Sequence, residues 1–207
     1  MIAIVDYGVG NLFSLKCSFK AVGEDAVVTN DKSIIKNADK IVLPGVGAFG
    51  DAALKLKAQA LDLLLKGMAQ SGKPILGICL GMQLLFEKSY EYGEHEGLGL
   101  IPGIIRPISD IIPNNLKIPH MGWNSLEFTK KGHPLFKYID DGDFVYFVHS
   151  YYADTPDSFV LATAEYGKPL TAAAGNLNVC GCQFHPEKSG SVGLKILKAF
   201  SDMEIKK

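Results

Sequence analysis

Pro74-Ile75-Leu76-Gly77-Ile78-Cys79-Leu80-Gly81-Met82-Gln83-Leu84-Leu85-Phe86 is the stretch on which the reading of this chain turns. Pro74–Ile78 is short, apolar and led in by Gly72-Lys73, the pattern of a strand buried on both faces. Met82, Leu84, Leu85 and Phe86 then continue as a helix directly from the cysteine. Glycine two residues before and two after Cys79 lets a sharp strand-to-helix turn form in little space, and lets a carbonyl come close to the sulfur. Such a turn aims the first backbone N–H groups of the helix at the sulfur, which favours thiolate and offers donors to an oxyanion. A buried core cysteine would suit the same five residues. The motif alone leaves both readings open.

Two segments elsewhere favour chemistry. Pro44-Gly45-Val46-Gly47-Ala48-Phe49-Gly50 directly follows the apolar run Ile41-Val42-Leu43, and a Gly-rich turn at a strand end presents bare N–H groups. His185-Pro186-Glu187 follows the strand-like run Val179–Phe184. Its carboxylate, two residues on, is placed to orient the imidazole. Nucleophile, base and orienting carboxylate are the three parts of an acyl-transfer site. His149, in Val148-His149-Ser150-Tyr151, is a rival base without such a carboxylate, and Ser150 as nucleophile lacks a glycine-framed elbow.

Around these motifs, residues 1 to about 90 alternate between strand and helix. Ile2–Val5, Ala26–Thr29 and Lys40–Leu43 read as strands, with a helix from near Asn11 to Val22 and a long helix over about 51–69. Leu54, Ala58, Leu61, Leu65 and Met68 mark the inner face of the long helix. From about 97 to 184 the texture changes to short β runs, clearest at Val145–Val148, Phe159–Ala164, Leu170–Ala174 and Val179–Phe184, with turn signals at Asn114-Asn115 and Asp140-Asp141-Gly142. A last helix spans about 190–203, with Gly193, Ile196, Leu197 and Phe200 on one side. The expectation is an α/β fold: a flavodoxin-like open, mainly parallel sheet with helices on both faces plus an antiparallel β extension, as one domain over 1–207.

Composition narrows the function classes. The chain has 207 residues, 47% hydrophobic content and a formal charge of -1, which suits one sizeable core and gives no electrostatic case for nucleic acid or an anionic membrane. Arg106 is the only arginine, so gripping phosphates by bidentate forks is not expected. Cys17, Cys79, Cys180 and Cys182 read as reduced thiols, and no apolar window reaches the roughly 20 residues of a membrane span, so a soluble, cytoplasmic protein is expected. Gly8-Val9-Gly10 lacks the third glycine of a dinucleotide loop, since position 13 is Phe. Cys180-Gly181-Cys182 with His185 has no second pair to close a tetrahedral metal site. Leu85 stands where a cysteine phosphatase needs arginine, and His120 and His133 read as surface or core histidines without special duty. Neither cofactor nor metal is expected.

Pro44-Gly45-Val46-Gly47, Gly77–Gln83 and Gln183-Phe184-His185-Pro186-Glu187 resemble the triad (class I) glutamine amidotransferases. Pro119-His120-Met121-Gly122-Trp123-Asn124, Tyr146–Tyr151 and Pro186-Glu187-Lys188-Ser189 are similar to one branch of that family, the glutaminase subunits of imidazole glycerol phosphate synthases. The resemblance implies hydrolysis of L-glutamine to glutamate and ammonia through a γ-glutamyl thioester. The ammonia would pass by a channel to a (β/α)8-barrel cyclase, held as a heterodimer, in histidine biosynthesis. It implies Cys79 as nucleophile, His185 as base and Glu187 as its orienting partner. Leu80 and the Val46 and Gly47 turn would serve the oxyanion. Gly45, Gln83, Glu91 and the backbone of His149, Ser150 and Tyr151 would hold glutamine. Asn11, Met121, Trp123, Tyr146 and Lys188 would face the partner, with the Pro44–Gly47 segment as the control point. A triad glutaminase feeding another acceptor would carry nearly the same motifs.

Overall fold

Apolar runs too short for helices become adjacent parallel strands in the computed structural model, which describes residues 1–204. These are β1 (Ile2–Val5), β2 (Ala26–Thr29), β3 (Lys40–Leu43) and β4 (Ile75–Ile78). Between them lie α1 (Leu12–Ala21), α2 (Lys32–Asn37), α3 (Phe49–Ala58) and α4 (Leu61–Gln70). After α5 (Leu80–Leu84) the chain forms short strands β5 (Lys88–Ser89), β6 (His95–Glu96) and β7 (Ile104–Pro107). Then come β8 (His120–Ser125), β9 (Glu127–Phe128), β10 (Phe144–His149) and β11 (Tyr151–Asp154). β12 (Val160–Glu165), β13 (Pro169–Asn176), β14 (Val179–Cys182) and α6 (Gly190–Ser201) complete the order.

One sheet runs β2-β1-β3-β4-β14-β13-β12-β9, parallel from β2 to β14 and antiparallel beyond. Both ends of the chain therefore build the same sheet. Strand alternation divides the core: Ile2, Ile4, Leu76 and Ile78 pack with α1 and α6 on one face. Ala3, Val5, Ile41, Leu43 and Ile75 pack with α2, α3 and α4 on the other. β11-β7-β5-β6 and the ribbon β10-β8 form two further sheets. This is the expected α/β architecture with helices on both faces and an antiparallel extension. Among the described residues no helix is long and apolar enough to cross a membrane.

Three expectations need correction, and one strand was not foreseen. The helix over 51–69 is two helices, because the chain turns at Gln59-Ala60 with Ala60 left-handed (φ 50). The turn shifts the phase of the apolar stripe: Phe49, Ala52 and Leu56 face inward in α3, while Leu54 points to solvent. α5 stops at Leu84, because the carbonyls of Leu84 and Leu85 accept from Leu98, Leu100 and Ile101 instead of continuing a helix. β14 ends at Cys182, two residues early, and β8 was not anticipated, since its polar residues mask the alternation of a half-exposed strand.

Candidate active site

The parallel order β1-β3-β4-β14 delivers four C-terminal strand ends to one edge, where open α/β sheets gather their ligands. Gly8–Asn11 leaves β1, Pro44–Ala48 leaves β3, Cys79 ends β4, and Gln183–Glu187 leaves β14. The three motifs that lie far apart in sequence are thus neighbours.

Cys79 has φ 53 and ψ -112, a backbone conformation that non-glycine residues rarely adopt. Its N–H bonds the carbonyl of Cys182 at 2.8 Å, and its own carbonyl accepts from Gln83 N at 3.1 Å. Gly81 is compelled by close approach: a Cβ there would stand 1.8 Å from the Leu43 carbonyl oxygen. Strands on both sides and the first turn of α5 therefore hold the elbow in its strained geometry. The side chain is buried, with 8% of the residue exposed.

His185 is placed by its N–H bonding the Tyr146 carbonyl at 2.9 Å. Its Nδ1 lies 2.8 Å from Glu187 Oε1, and both side chains are only 3% exposed. Burial works against the imidazolium, but hydrogen bonding and charge from Cys79 and Glu187 outweigh it and raise the pKa to about 9. At neutral pH this favours an imidazolium beside the cysteine, with Nδ1 held by the carboxylate and Nε2 left for the sulfur. Glu187 Oε2 is buried and has no protein partner among the described residues.

His149 is removed as rival base by its own bonds. Its Nδ1 sits 2.8 Å from the Tyr151 carbonyl, which only accepts, so Nδ1 carries the proton and Nε2 accepts. His120 Nδ1 must then donate across the 2.9 Å contact to His149 Nε2, and His120 Nε2 accepts from Asn124 Nδ2 at 3.2 Å. Burial lowers His120 to about 4 and, more than its bond to Tyr151 offsets, His149 to about 3. Both are neutral at pH 7. His120 is thus a buried core histidine, and it satisfies the free Nε2 of a His149 tautomer that the Tyr151 carbonyl fixes.

The remaining expected residues fall as follows. Leu80 opens α5 beside the sulfur, where its N–H lies outside the intrahelical ladder. Tyr7 Oη donates to the Pro44 carbonyl at 2.8 Å, and Glu91 Oε2 accepts from Phe49 N at 2.5 Å, so the Pro44–Ala48 turn is tied at both ends. Between the ties, Val46 is 42% exposed and Gly47 has φ 93 with open space around it. Gly45 packs against Gly81 N and Tyr7 Oη. Gln83 is buried and donates to the Tyr151 carbonyl at 3.4 Å; Ser150 and Tyr151 are half-buried. Gln183, to which the sequence reading assigned no role, places Nε2 3.6 Å from Cys79 Sγ.

Met121 and Trp123 project from β8 at 60% and 55% exposure, opposite Val148 and Tyr146 of β10. Trp123 meets Tyr146 edge-on at 6.2 Å, and Lys188 Nζ lies 5.9 Å from the Tyr146 ring centre. Lys188 N also bonds the His185 carbonyl at 3.0 Å, so this aromatic face joins the His185–Lys188 turn directly. Asn11 is half-buried at the start of α1, beside the Gly10–Pro44 contact. Cys180 and Cys182 are buried in β14, and burial pushes Cys180 up to about 12. Among the described residues no cluster of three or more His, Cys, Asp or Glu could hold a metal.

A thiol elbow, an imidazole–carboxylate pair and a Gly-rich turn at the C-terminal edge of a parallel sheet define a cysteine acyl-transfer enzyme. The chain belongs to the class-I glutamine amidotransferase family, whose model matches residues 3–202. It is 50% identical over 200 residues to imidazole glycerol phosphate synthase subunit HisH of Lactococcus lactis, covering 96% of each chain. The same-named subunit of Syntrophotalea carbinolica is 50% identical over 207 residues (98% of this chain, 100% of the relative), and that of Caldanaerobacter subterraneus 51% over 204 (98% of each). Among solved structures, a glutamine amidotransferase superposes with TM-score 0.75 at 17% identity, over 97% of this chain and 100% of the other. PurLQS from Thermotoga maritima does so with TM-score 0.74 at 21% identity over 97% of each, a likeness of fold.

Proposed function

We propose that the chain is the glutaminase subunit of an imidazole glycerol phosphate synthase, acting in the cytoplasm as one domain that supplies ammonia to a (β/α)8-barrel cyclase bound as a heterodimer. The observation that carries the reading is the meeting of Cys79 with the 2.8 Å His185–Glu187 pair at the ends of adjacent parallel strands. Cys79 thiolate attacks the side-chain amide carbon of glutamine, and the oxyanion is met by Leu80 N–H and an N–H of the Gly45-Val46-Gly47 turn. The His185 imidazolium gives its Nε2 proton to the departing ammonia, leaving a γ-glutamyl thioester. Neutral His185 then takes a proton from water as that water attacks, glutamate leaves, and the thiolate–imidazolium pair is restored. Gln83, Glu91 and the 149–151 backbone hold the amino-acid end of the substrate. The face of Met121, Trp123, Tyr146, Lys188 and Asn11 receives the cyclase.

The test is synthesis of imidazole glycerol phosphate by this chain mixed with a barrel cyclase. The natural sequence should support the reaction from glutamine, and Cys79→Ala should support it only from added ammonium salt. Glutamine-dependent turnover by Cys79→Ala would remove the catalytic assignment. A chain that hydrolyses glutamine but ignores the cyclase would point to a glutaminase serving another acceptor.

A further inference from the structure

Gln183 is fully buried, and its amide stands between two groups that demand opposite things of it. Cys79 Sγ lies 3.6 Å from its Nε2, and Gln83 Nε2 lies 3.0 Å from its Oε1. The two ends of a glutamine amide have nearly the same shape, so its polarity must come from its neighbours. Here it comes from a backbone carbonyl. Tyr151 O can only accept, and it faces the Gln83 amide at 3.4 Å, so the Gln83 atom there is the NH₂ group. That same NH₂ also reaches Gln183, which must answer with its oxygen. Gln183 is left with its own NH₂ aimed at the sulfur. The Tyr151 carbonyl is itself held by the Nδ1–H of His149, so the origin of the chain is anchored.

We infer that Gln183 is a catalytic residue that donates a hydrogen bond to the Cys79 thiolate, and that Gln83 and the Tyr151 carbonyl are positioning groups that keep its amide from turning over. The inference rests on the proposed role of Cys79 as nucleophile. A thiolate in a buried site needs donors, since an unpaired buried anion is strongly disfavoured. His185 supplies one from the imidazolium and Gln183 supplies a second that carries no charge and transfers no proton. Gln83 thereby has a duty at the sulfur, whatever else it does for the amino-acid end of the substrate. The chain takes no part in any covalent step: it orients and stabilises the sulfur before attack and as the leaving group of the second half-reaction.

Alkylation of Cys79 by iodoacetamide at fixed pH, followed by peptide mass spectrometry, reads the thiolate without using the glutamine subsite. In Gln183→Met the rate should fall about tenfold, the equivalent of one hydrogen bond to a charged group. Gln83→Met should slow it by a smaller factor, and the double variant should be no slower than Gln183→Met, because both changes remove one donor. Thermal melting of each variant checks that the fold is kept. Should Gln183→Met fail to fold, Gln83→Met carries the test, since its effect on alkylation must then exceed twofold. Unchanged alkylation in the folded variants, or effects that multiply in the double variant, would overturn the inference while leaving the function intact. Retained glutamine hydrolysis in Cys79→Ala would instead sink the reading of the site itself.

Discussion

The elbow Gly77–Gln83 and the turn Pro44–Ala48 lie side by side at one sheet edge, and they are built on opposite terms. The elbow is over-determined: β4 and β14 flank it, Cys79 N is bonded to Cys182, and there is no room for a methyl group at Gly81. The turn is held only at its ends, by Tyr7 on Pro44 and by Glu91 on Phe49. Among the described residues, the N–H groups of Gly45, Val46 and Gly47 have no hydrogen-bond partner. Residues held in strained conformations persist only where the surroundings fix them, whereas a segment with few contacts changes conformation cheaply. On the proposed function, the nucleophile is therefore ready-made, and the second oxyanion donor is the part left adjustable. A glutaminase that leaks ammonia without an acceptor would benefit from this division, because the adjustable half is where a partner could gain control.

The comparison breaks most sharply at the fixed half. Glu187→Gln keeps the shape of the orienting side chain but removes its charge and alters the tautomer it selects at His185. Glutamine hydrolysis in the presence of cyclase should fall by about 10² to 10⁴, as for equivalent changes in other triads. Wild-type rates would show that the 2.8 Å contact orients nothing.

Two glycine substitutions set the halves against each other. Gly81→Ala places a methyl group 1.8 Å from a backbone oxygen and should cost more than about 3 kcal/mol, giving little folded protein. Gly47→Ala meets open space and only the backbone strain of φ 93, about 1–2 kcal/mol. It should fold, and should shift the hydrolysis rate of the free chain. Similar melting temperatures for the two variants would mean the elbow is not tighter than the turn.

Trp123→Ala probes the partner side. A half-exposed aromatic at the centre of an interface typically contributes about 2 kcal/mol on truncation. Titration of the cyclase should show a weakened Kd with little change in melting temperature, and an unchanged Kd with full activation would take Trp123 out of the interface. A further effect is with pH. His120 and His149 titrate near 4 and 3 in the fold because burial disfavours their charge, below the ordinary value near 6.5. The unfolded chain thus takes up protons first, and stability should decline as pH falls from about 6.5 toward 4. Denaturant unfolding across that range should show a shallower decline in a His120→Asn/His149→Gln variant, and equal slopes would contradict the neutral pair.

Much of this was legible in the sequence, and what was hidden has physical reasons. Strands β1, β3 and β4 were plain because runs such as Ile41-Val42-Leu43 are buried on both sheet faces. The meeting of Cys79 with His185 and Glu187 was legible because each motif sits at a strand end. The break in the helix over 51–69 was not, since Gln59-Ala60 offers neither glycine nor proline to mark the left-handed turn that Ala60 makes (φ 50). β8 was obscured because its alternation is inverted, with polar His120 and Asn124 inward and apolar Met121 and Trp123 outward. Gln183 stands inside a motif without showing its task, because its amide acquires a direction only through Gln83, 100 residues away. Spacing reports which residues share a strand end; it does not report which way an amide faces.

The most direct measurement pairs two rates on the same protein: glutamate release from glutamine and alkylation of Cys79, each with the chain alone and with cyclase loaded with its nucleotide ligand. A preformed nucleophile and an adjustable oxyanion donor predict that glutamate release rises by at least about 10²-fold, the worth of one such donor. Alkylation should then change by less than about threefold, since it needs only the thiolate. If alkylation rises in step with hydrolysis, the partner is building the nucleophile itself, and the division between a fixed elbow and an open turn is wrong.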